Sequence, residues 1–270
     1  MALVRFNFLS RALGRQVDVH AIIPTYTNNR GMSGEKIEDI YDTKQRFKTV
    51  YLLHGFSGDC SDYINYTNVV RYAEENRIAV IIPSGFNSWY FDYEPGEKNR
   101  TFIGEELVQV TRFMFPLSDK RDDTYIAGLS MGAAGCAMIA LAYPDVFSKV
   151  YCMSGAPSFI DENTTTSTAN WFGDEKNVYH STKLSIIQDK KDTIEDAYYT
   201  AAENIRTGKP MPAFILTIGD KDFLLKNTNR FYEHLKEHGY DVKMEIVSGY
   251  GHEWDFWDLK IKEALEKFFI

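Results

Sequence analysis

The chain has 270 residues, of which 44% are hydrophobic and 25% charged, as in a soluble globular protein with a large buried core. Its formal net charge of −8 argues against a surface for nucleic acid or for anionic membranes. No run approaches about 18 consecutive apolar residues, so no transmembrane helix is predicted.

The N-terminal stretch MALVRFNFLS is apolar over only a few positions, because Arg5 and Asn7 interrupt it. No small-residue cleavage site follows an apolar core, so no signal peptide is predicted. The cysteines are odd in number and widely spaced, at Cys60, Cys136 and Cys152, which fits neither a disulfide framework nor a zinc site. We therefore expect a cytoplasmic protein with no metal and no other cofactor.

The first regular element predicted is a strand in GRQVDVHAIIP, where apolar and polar residues alternate from Val17 to Ile23. This alternation is typical of a half-buried antiparallel or edge strand. Short apolar, β-branched runs then predict strands covered on both faces, at residues 49–53, 78–82, 124–128, 149–155, 213–219 and 242–249. Helix-like segments lie between and after them, at residues 62–76, 103–114, 131–142, 227–238 and 255–269, with a helix stop at Gly239. Alternating strands and helices predict one α/β domain over 1–270, a mostly parallel doubly wound sheet with an antiparallel N-terminal strand.

One segment, residues 157–205, interrupts the alternation of strands and helices. It opens with the polar run DENTTTSTAN and continues through Trp171, Phe172 and Gly173. We interpret it as a cap-like insertion over the strand ends, and the alternative is an internal loop without regular structure.

The segment YIAGLSMGAAG places Ser130 between Gly128 and Gly132, where an apolar run gives way to helix-forming residues. A Gly-x-Ser-x-Gly pattern between a strand and a helix is typical of a nucleophilic serine on a tight turn. Glycines on either side leave room for the strained backbone of such a turn. The sequence therefore predicts an exposed hydroxyl at the N-terminus of a helix, which favours negative charge.

A serine hydroxyl becomes a good nucleophile when a histidine removes its proton. The chain has six candidates, at positions His20, His54, His180, His234, His238 and His252. His252 follows the last predicted strand on a glycine-rich turn, at the sheet edge where α/β proteins bind ligands. We predict His252 as the base. For His20, His234 and His238 we expect solvated or structural positions, and His180 lies in the segment 157–205 with no obvious scaffold to position it.

The base needs a carboxylate to orient it, and both Asp220 and Asp222 follow the strand before His252. Either one gives the chain order Ser, Asp, His of an α/β-hydrolase, and the residues alone do not separate them. Glu253 is a weaker candidate, since adjacent side chains rarely face each other.

Donors for the oxyanion are predicted at the backbone N–H groups of Met131 and Phe56, with Ser57 as the alternative to Phe56. Met131 directly follows the serine, and Phe56 lies in the loop after an earlier strand, where Gly55 permits a sharp turn. In the same loop, His54 is expected to order the backbone rather than to act as a second base.

Several motifs together resemble the putative esterase family, which includes esterase D, S-formylglutathione hydrolase and the bacterial tributyrin-esterase-like carboxylesterases. The motifs are LLHGFSGD, AVIIPSG, PLSDKRDDTYIAGLSMG, YPDVF, GDKDFLL and GHEWDFW. The resemblance runs from LSRALGRQVDVHAIIP nearly to the end of the chain, with small departures at Ala133 and Cys136. It implies an α/β-hydrolase fold in which Ser130, His252 and Asp222 are catalytic, since the family pattern Gly-x-x-Asp-Phe-Leu selects Asp222. It also supports the oxyanion donors Phe56 and Met131.

This resemblance implies a serine carboxylesterase for short acyl esters, including acetyl or feruloyl esters of carbohydrates. Side chains from three loops are candidates for the substrate pocket, namely His54, Ser57, Trp89, Tyr90 and Trp254. The alternative is S-formylglutathione hydrolase or another thioesterase, although the loop His54–Gly58 departs from the Ser-Gly-Leu-Thr-Cys usual there. A remote alternative is a non-catalytic binding module. The expected partner is a small-molecule ester, and a homo-oligomer is expected without an interface that the sequence identifies.

Overall fold

The residues that the structure describes, 1–26, 34–158 and 189–269, place eight strands in one sheet. The strands are β1 Ala2–Ser10, β2 Arg15–Ile23, β3 Thr49–Leu53, β4 Ala79–Pro83, β5 Thr124–Leu129, β6 Lys149–Met153, β7 Ala213–Gly219 and β8 Val242–Val247. In this computed structural model their order is β1-β2-β4-β3-β5-β6-β7-β8. Strands β3 to β8 are parallel, whereas β2 is antiparallel to both β1 and β4. The predicted mostly parallel α/β sheet with an antiparallel N-terminal strand is confirmed.

The helices pack on both faces of this sheet. The α-helices longer than three residues in the described ranges are α1 Ile37–Ile40, α2 Asp62–Tyr66, α3 Val69–Asn76, α4 Leu107–Met114, α5 Met131–Ala142, α6 Ala197–Arg206, α7 Leu225–Glu237 and α8 Trp254–Glu263. One core cluster joins the sheet to α4, α5, α6 and α7, and a second joins its other face to α2, α3 and α8. None of the described helices combines the length and the hydropathy that crossing a membrane requires.

The central strands are buried along their whole length. Every residue of β3, β4 and β5 is buried, as expected of apolar runs covered by helices on both faces. The same expectation for residues 242–249 is wrong, because β8 is the last strand of the sheet and every one of its residues is half-buried or exposed.

The N-terminal strand β1 was not predicted from the sequence. It pairs with β2 over nine residues and takes the outer position in the sheet, so β2 is antiparallel but is not an edge strand. A glycine turn joins the two strands, with Gly14 at φ 66°.

Two predicted helices differ in detail from the structure. The segment 62–76 is divided into α2 and α3, because Thr67 is extended and its hydroxyl donates to Tyr63 O at 2.5 Å. Helix α4 is preceded by a π-helical turn over Phe102–Glu106. The predicted stop of α7 is confirmed, since Gly239 has φ 75° and donates its N–H to Lys236 O.

Most of the predicted insertion 157–205, including the Trp171–Phe172–Gly173 group and His180, lies outside the described residues. Its described end contains helix α6, which the sequence analysis did not predict. Asp196 caps this helix by accepting from the amides of Tyr198 and Tyr199. The helix packs beside α5 in the same core cluster.

Parallel strands bring their C-terminal ends to one edge of the sheet, and the loops after β3, β5, β7 and β8 meet there. Ser130 follows β5, Asp222 follows β7 and His252 follows β8. The fold therefore places three distant segments of the chain at the same edge.

Candidate active site

Ser130 is the single residue between strand β5 and helix α5. Its backbone has φ 53° and ψ −117°, a conformation that is strained for a residue with a side chain. The neighbouring strand holds it, since Ser130 N–H donates to Met153 O at 2.9 Å. The predicted sharp turn from strand to helix is present at this serine. The expectation of an exposed hydroxyl is wrong, because Ser130 is buried with 7% of its surface exposed.

The two glycines of the motif are required by close backbone contacts. A Cβ placed on Gly128 would lie 2.2 Å from Gly132 O, and one on Gly132 would lie 2.3 Å from Leu53 O. Both distances are far shorter than van der Waals contact and involve backbone atoms that cannot move aside. The helix and the two strands therefore approach as closely as they do because neither position carries a side chain.

We predict that Gly132→Ala lowers the free energy of unfolding by about 3 kcal/mol, because the added methyl group forces the backbone apart. Urea denaturation measures this change. A matched control is Gly251→Ala, where the new Cβ meets only Glu253 Oε1, at 3.8 Å. The control should change stability by less than about 1 kcal/mol. Equal stability of the Gly132→Ala variant and the wild type would contradict the steric explanation.

His252 lies between the serine and a carboxylate. Its Nε2 is 3.0 Å from Ser130 Oγ, and its Nδ1 is 3.0 Å from Asp222 Oδ2. An ionised carboxylate only accepts hydrogen bonds, so Nδ1 carries the proton of the neutral ring and Nε2 accepts from the Ser130 hydroxyl. The ring lies 4.8 Å from Phe223 and 5.0 Å from Trp257.

The structure separates the two aspartates that the sequence left open. The side chain of Asp222 is fully buried against His252. Asp220 instead faces solvent and accepts from Ser248 Oγ at 2.9 Å and from Gly249 N–H at 2.8 Å. Glu253 is also turned away from the histidine, since its carboxylate accepts from Gly251 N–H.

The Asp222 carboxylate is stabilised in its charged form. Burial by itself would raise the pKa of Asp222, but hydrogen bonds from His252 and from the Leu224 amide outweigh it, so the pKa is lowered. The Leu224 N–H donates to Asp222 Oδ1 at 2.9 Å. Asp222 is therefore ionised at neutral pH and can hold the proton of His252 on Nδ1.

Ser154 is a residue of this site that the sequence analysis missed. It follows β6, is fully buried, and has a strained φ of 52°. Its backbone N–H donates to Thr217 O at 2.8 Å. Its buried hydroxyl has no hydrogen-bond partner among the described residues, although its position favours the charged form of Asp222. The next residue, Gly155, has no room for a Cβ, which would lie 2.8 Å from Ser130 O. The only signal in the sequence was a Ser-Gly pair at the end of a buried strand.

The two predicted oxyanion donors come from two different segments of the chain near Ser130. Met131 is the first residue of α5, and amides in the first turn of a helix have no intrahelical acceptor. Phe56 lies in the loop after β3, and this loop is close to the serine, since a Cβ on Gly55 would be 3.5 Å from Ser130 Cβ. Both backbones are thus near the serine, as a pair of oxyanion donors requires.

His54 holds the loop after β3 in place through hydrogen bonds from its ring to the backbone. Its Nδ1 is 2.7 Å from Gly55 O, and Gly85 N–H donates to its Nε2 at 2.7 Å. The side chain is fully buried, and burial lowers its pKa. Its assignment to the substrate pocket is therefore corrected, because both ring nitrogens are used by the backbone. The geometry fits the loop-ordering role expected from the sequence.

We predict that acid destabilises the folded chain partly through His54. The pKa of His54 is below its ordinary value of 6.5 in the folded state, so the unfolded chain binds more protons below that pH. Its contribution to stability is fully present above pH 6.5 and is lost progressively as the pH falls. Chemical denaturation at a series of pH values should show a shallower acid loss for His54→Gln than for the wild type. If the free energy of unfolding fell equally steeply with acid in the two proteins, His54 would not be a source of the acid sensitivity.

The other predicted pocket residues divide into two groups. Tyr90 is fully buried and its hydroxyl donates to His54 O at 3.0 Å, so its place in the pocket is also corrected. It packs so tightly that a Cβ on Gly85 or on Gly135 would lie 2.3 Å from its ring. Trp89 is half-buried with its ring 6.2 Å from that of Phe56, on the loop beside the serine.

Ser57 lies in the loop after β3, and Trp254 is the first residue of α8. Ser57 is exposed, and its N–H donates to Asn87 Oδ1 at 2.7 Å. Trp254 is half-buried and its ring lies 4.9 Å from Tyr66 and 5.0 Å from Trp257. The sequence analysis did not select Phe223, although this residue is 51% exposed and its ring contacts His252.

The described residues bring together a hydroxyl, an imidazole and a buried carboxylate in hydrogen-bond series, at the N-terminus of a helix. Such a series can deprotonate the hydroxyl as it attacks a carbonyl carbon. Within the described ranges, no group of three or more His, Cys, Asp or Glu side chains is arranged to hold a metal ion.

Comparison with known proteins shows similarity to esterases. The family model described as Putative esterase matches residues 37–268. The acetyl esterase of Caldicellulosiruptor saccharolyticus is 31% identical over 276 residues, covering 98% of this chain and 97% of that enzyme.

Two solved structures from Staphylococcus aureus are similar over their whole length. FphF, a fluorophosphonate-binding serine hydrolase with substrate bound, has a TM-score of 0.81 at 29% identity, covering 100% of this chain and 98% of that one. The S-formylglutathione hydrolase FrmB has a TM-score of 0.80 at 28% identity, covering 100% of this chain and 99% of that one. These likenesses confirm the predicted α/β-hydrolase fold.

Proposed function

The chain belongs to the putative esterase family and is a carboxylic ester hydrolase, and from this premise we propose that it is a serine carboxylesterase for short-chain acyl esters. Ser130 is the nucleophile, His252 is the base, and the Asp222 carboxylate orients His252. The observation that carries the proposal is the continuous series of hydrogen bonds from Ser130 Oγ through both nitrogens of His252 to Asp222.

In the first half of the reaction, Ser130 Oγ attacks the ester carbonyl carbon while His252 Nε2 takes the hydroxyl proton. The carbonyl oxygen becomes an oxyanion, which accepts hydrogen bonds from the amides of Met131 and Phe56. When this intermediate collapses, His252 returns the proton to the departing alcohol oxygen and the acyl group stays on Ser130. Asp222 remains ionised and stabilises the transient imidazolium.

In the second half, water replaces the alcohol. His252 Nε2 takes a proton from the water as its oxygen attacks the acyl carbon, and the same two amides donate hydrogen bonds to the second oxyanion. Collapse of this intermediate breaks the bond to Ser130 Oγ, which regains its proton from His252. The products are the free carboxylic acid and the regenerated enzyme.

For the acyl group we propose acetyl or a similarly short chain, attached to a carbohydrate or another small alcohol. The full-length similarity to a protein named acetyl esterase supports this choice. Aromatic side chains around the serine, from Phe56, Trp89 and Phe223, supply apolar surface for a small ester. We also propose a cytoplasmic location, because the odd, dispersed cysteines fit a reducing compartment.

Thioester hydrolysis is the second candidate, and the similarity to the S-formylglutathione hydrolase FrmB favours it. Both functions use the same residues, so kinetics must separate them. We expect kcat/KM to be highest for p-nitrophenyl acetate, to fall from butanoate to octanoate, and to exceed the value for S-formylglutathione. A preference for S-formylglutathione of about tenfold or more would replace the ester proposal with the thioester one.

The same assay tests the carbohydrate esters and the non-catalytic alternative. If the acyl site accepts only short chains, the enzyme should release acetate from acetylated xylo-oligosaccharides faster than it releases ferulate from methyl ferulate. The opposite order would change the proposed acyl group to an aromatic one. No turnover of any ester or thioester would contradict the proposed function and leave the binding-module alternative.

A further inference from the structure

The free edge of the sheet at β1 is unusually open for association. Among the described elements β1 pairs only with β2, so one side of its nine-residue backbone has no strand beside it. Such edges are normally protected by proline, by several charges or by a short length. β1 contains one charged residue, Arg5, and no proline.

Apolar side chains extend along both faces of this edge. On the outer face, Leu3 is 38% exposed and Leu9 is 66% exposed. On the inner face Val4, Phe6 and Phe8 pack on the core but stay only half-buried, because β1 is the last strand. An unprotected backbone edge bordered by apolar side chains favours association with another strand.

The apolar surface continues beyond the strand at the end of helix α4. Phe115 contacts Phe6, with ring centroids 5.7 Å apart. Just before it, Phe113 is 92% exposed and Met114 is 45% exposed. This cluster of exposed apolar side chains adjoins the free edge, and contiguous patches of this kind mark interaction sites.

The order of residues in β1 indicates which strand fits the edge. When two copies of β1 pair antiparallel about Phe6, all nine residues of each strand are matched. The facing pairs are Leu3 with Leu9, Val4 with Phe8, Arg5 with Asn7, and Phe6 with its own copy. Apolar residues then face apolar residues on both sides of the sheet, and each Arg5 faces an amide instead of a like charge.

Other registers of the antiparallel β1–β1 pair match charged and apolar residues less well. Moving the centre to Arg5 places the two Arg5 side chains opposite each other, and like charges directly opposite are destabilising. Moving it to Asn7 leaves two residues of each strand unpaired and sets Arg5 opposite Leu9. The strand is therefore most complementary to itself in the register centred on Phe6.

We propose that β1 is the dimerisation strand, and that two chains join their sheets through antiparallel β1–β1 pairing about a twofold axis at Phe6. This arrangement is isologous, with the same residues contributed by each chain. It pairs the free backbone edge and covers the half-buried Phe6 and Phe8.

The opposite edge of the sheet provides a control. Strand β8 also exposes an apolar side chain, with Ile246 at 53%, but it carries Lys243 and Glu245. Charges on an edge strand oppose pairing. A new charge at Ile246 should therefore leave the dimer intact.

Light scattering coupled to size-exclusion chromatography tests the proposal on the full chain. We expect the wild type to have the mass of two chains, or of an assembly of such dimers. Leu3→Glu with Leu9→Glu should halve that mass, because position 3 faces position 9 and two pairs of carboxylates are then directly opposite each other. Leu3→Lys with Leu9→Glu should restore it, since each lysine then faces a glutamate. Ile246→Glu should leave it unchanged.

Any of three results would overturn the proposal: a monomeric wild type, an unchanged mass in the double glutamate variant, or no restoration by the lysine–glutamate variant. Hydrolysis of p-nitrophenyl acetate and the circular dichroism spectrum show whether each variant is folded. Both substituted positions are on the outer face, away from the serine, so folding is expected in every case.

Discussion

Replacing Ser130 by alanine is expected to lower kcat for p-nitrophenyl acetate by about 10⁶-fold, as loss of a nucleophilic serine does in other hydrolases. Without Oγ no acyl-enzyme can form, and the remaining donors accelerate only direct attack by water. Stopped-flow absorbance at the p-nitrophenolate wavelength measures both the steady rate and the initial burst. The burst should disappear together with turnover.

The fold of the Ser130→Ala variant should be unaffected. The hydroxyl makes a hydrogen bond to His252, and losing one such bond changes the free energy of unfolding by about 1 kcal/mol. Thermal unfolding of both proteins provides this control. Turnover within about one order of magnitude of the wild type would contradict the role of Ser130.

Replacing Asp222 by asparagine is expected to lower kcat by about 10⁴-fold, because an amide that donates to Nδ1 stabilises the wrong tautomer of His252. The proton then sits on Nε2, which can no longer accept from Ser130. The same replacement at Asp220 should change kcat only severalfold, since that carboxylate bonds to Ser248 and Gly249 at the surface.

The two aspartate variants are matched in chemistry and lie on the same loop, so each serves as the control for the other. Steady-state kinetics on p-nitrophenyl acetate gives both values. A large loss in Asp220→Asn with little loss in Asp222→Asn would contradict the assignment of the acid.

The strands of the central sheet could be predicted because their burial on both faces is visible in the sequence as continuous apolar runs. The run TVYLL of β3 and the run TYIAGL of β5 are apolar throughout, and both strands are buried on both faces. The turn at Ser130 was predictable for a similar reason. Only glycine fits at Gly128 and Gly132, so the chemical pattern and the steric requirement coincide.

Other features depend on contacts between distant residues, which a local pattern does not contain. The break between α2 and α3 is fixed in part by Asp258, whose carboxylate accepts from Asn68 N–H at 2.7 Å across 190 positions of the chain. Tyr90 lies among aromatic loop residues and was predicted to line the pocket, but close contacts with Gly85 and Gly135 bury it.

The choice between Asp220 and Asp222 also depends on contacts between distant residues. The two residues are separated by one position on a short loop, so their composition and spacing are equivalent. The loop is fixed to the histidine segment by Lys221 N–H, which donates to Tyr250 O at 3.0 Å, and by Gly219, which has no room for a side chain against Tyr250 O. These contacts between distant segments, which hold the Asp222 loop beside the His252 segment, are not contained in the local sequence.

The most direct test of the central claim is to trap the acyl-enzyme. The protein is mixed with p-nitrophenyl acetate, quenched in acid during the burst, digested and mapped by mass spectrometry. We predict one acetyl group per chain, on the peptide that contains Ser130 and on no other, and none in the Ser130→Ala variant. An acetyl group found on a different residue, or a burst that persists in the Ser130→Ala variant, would contradict Ser130 as the nucleophile.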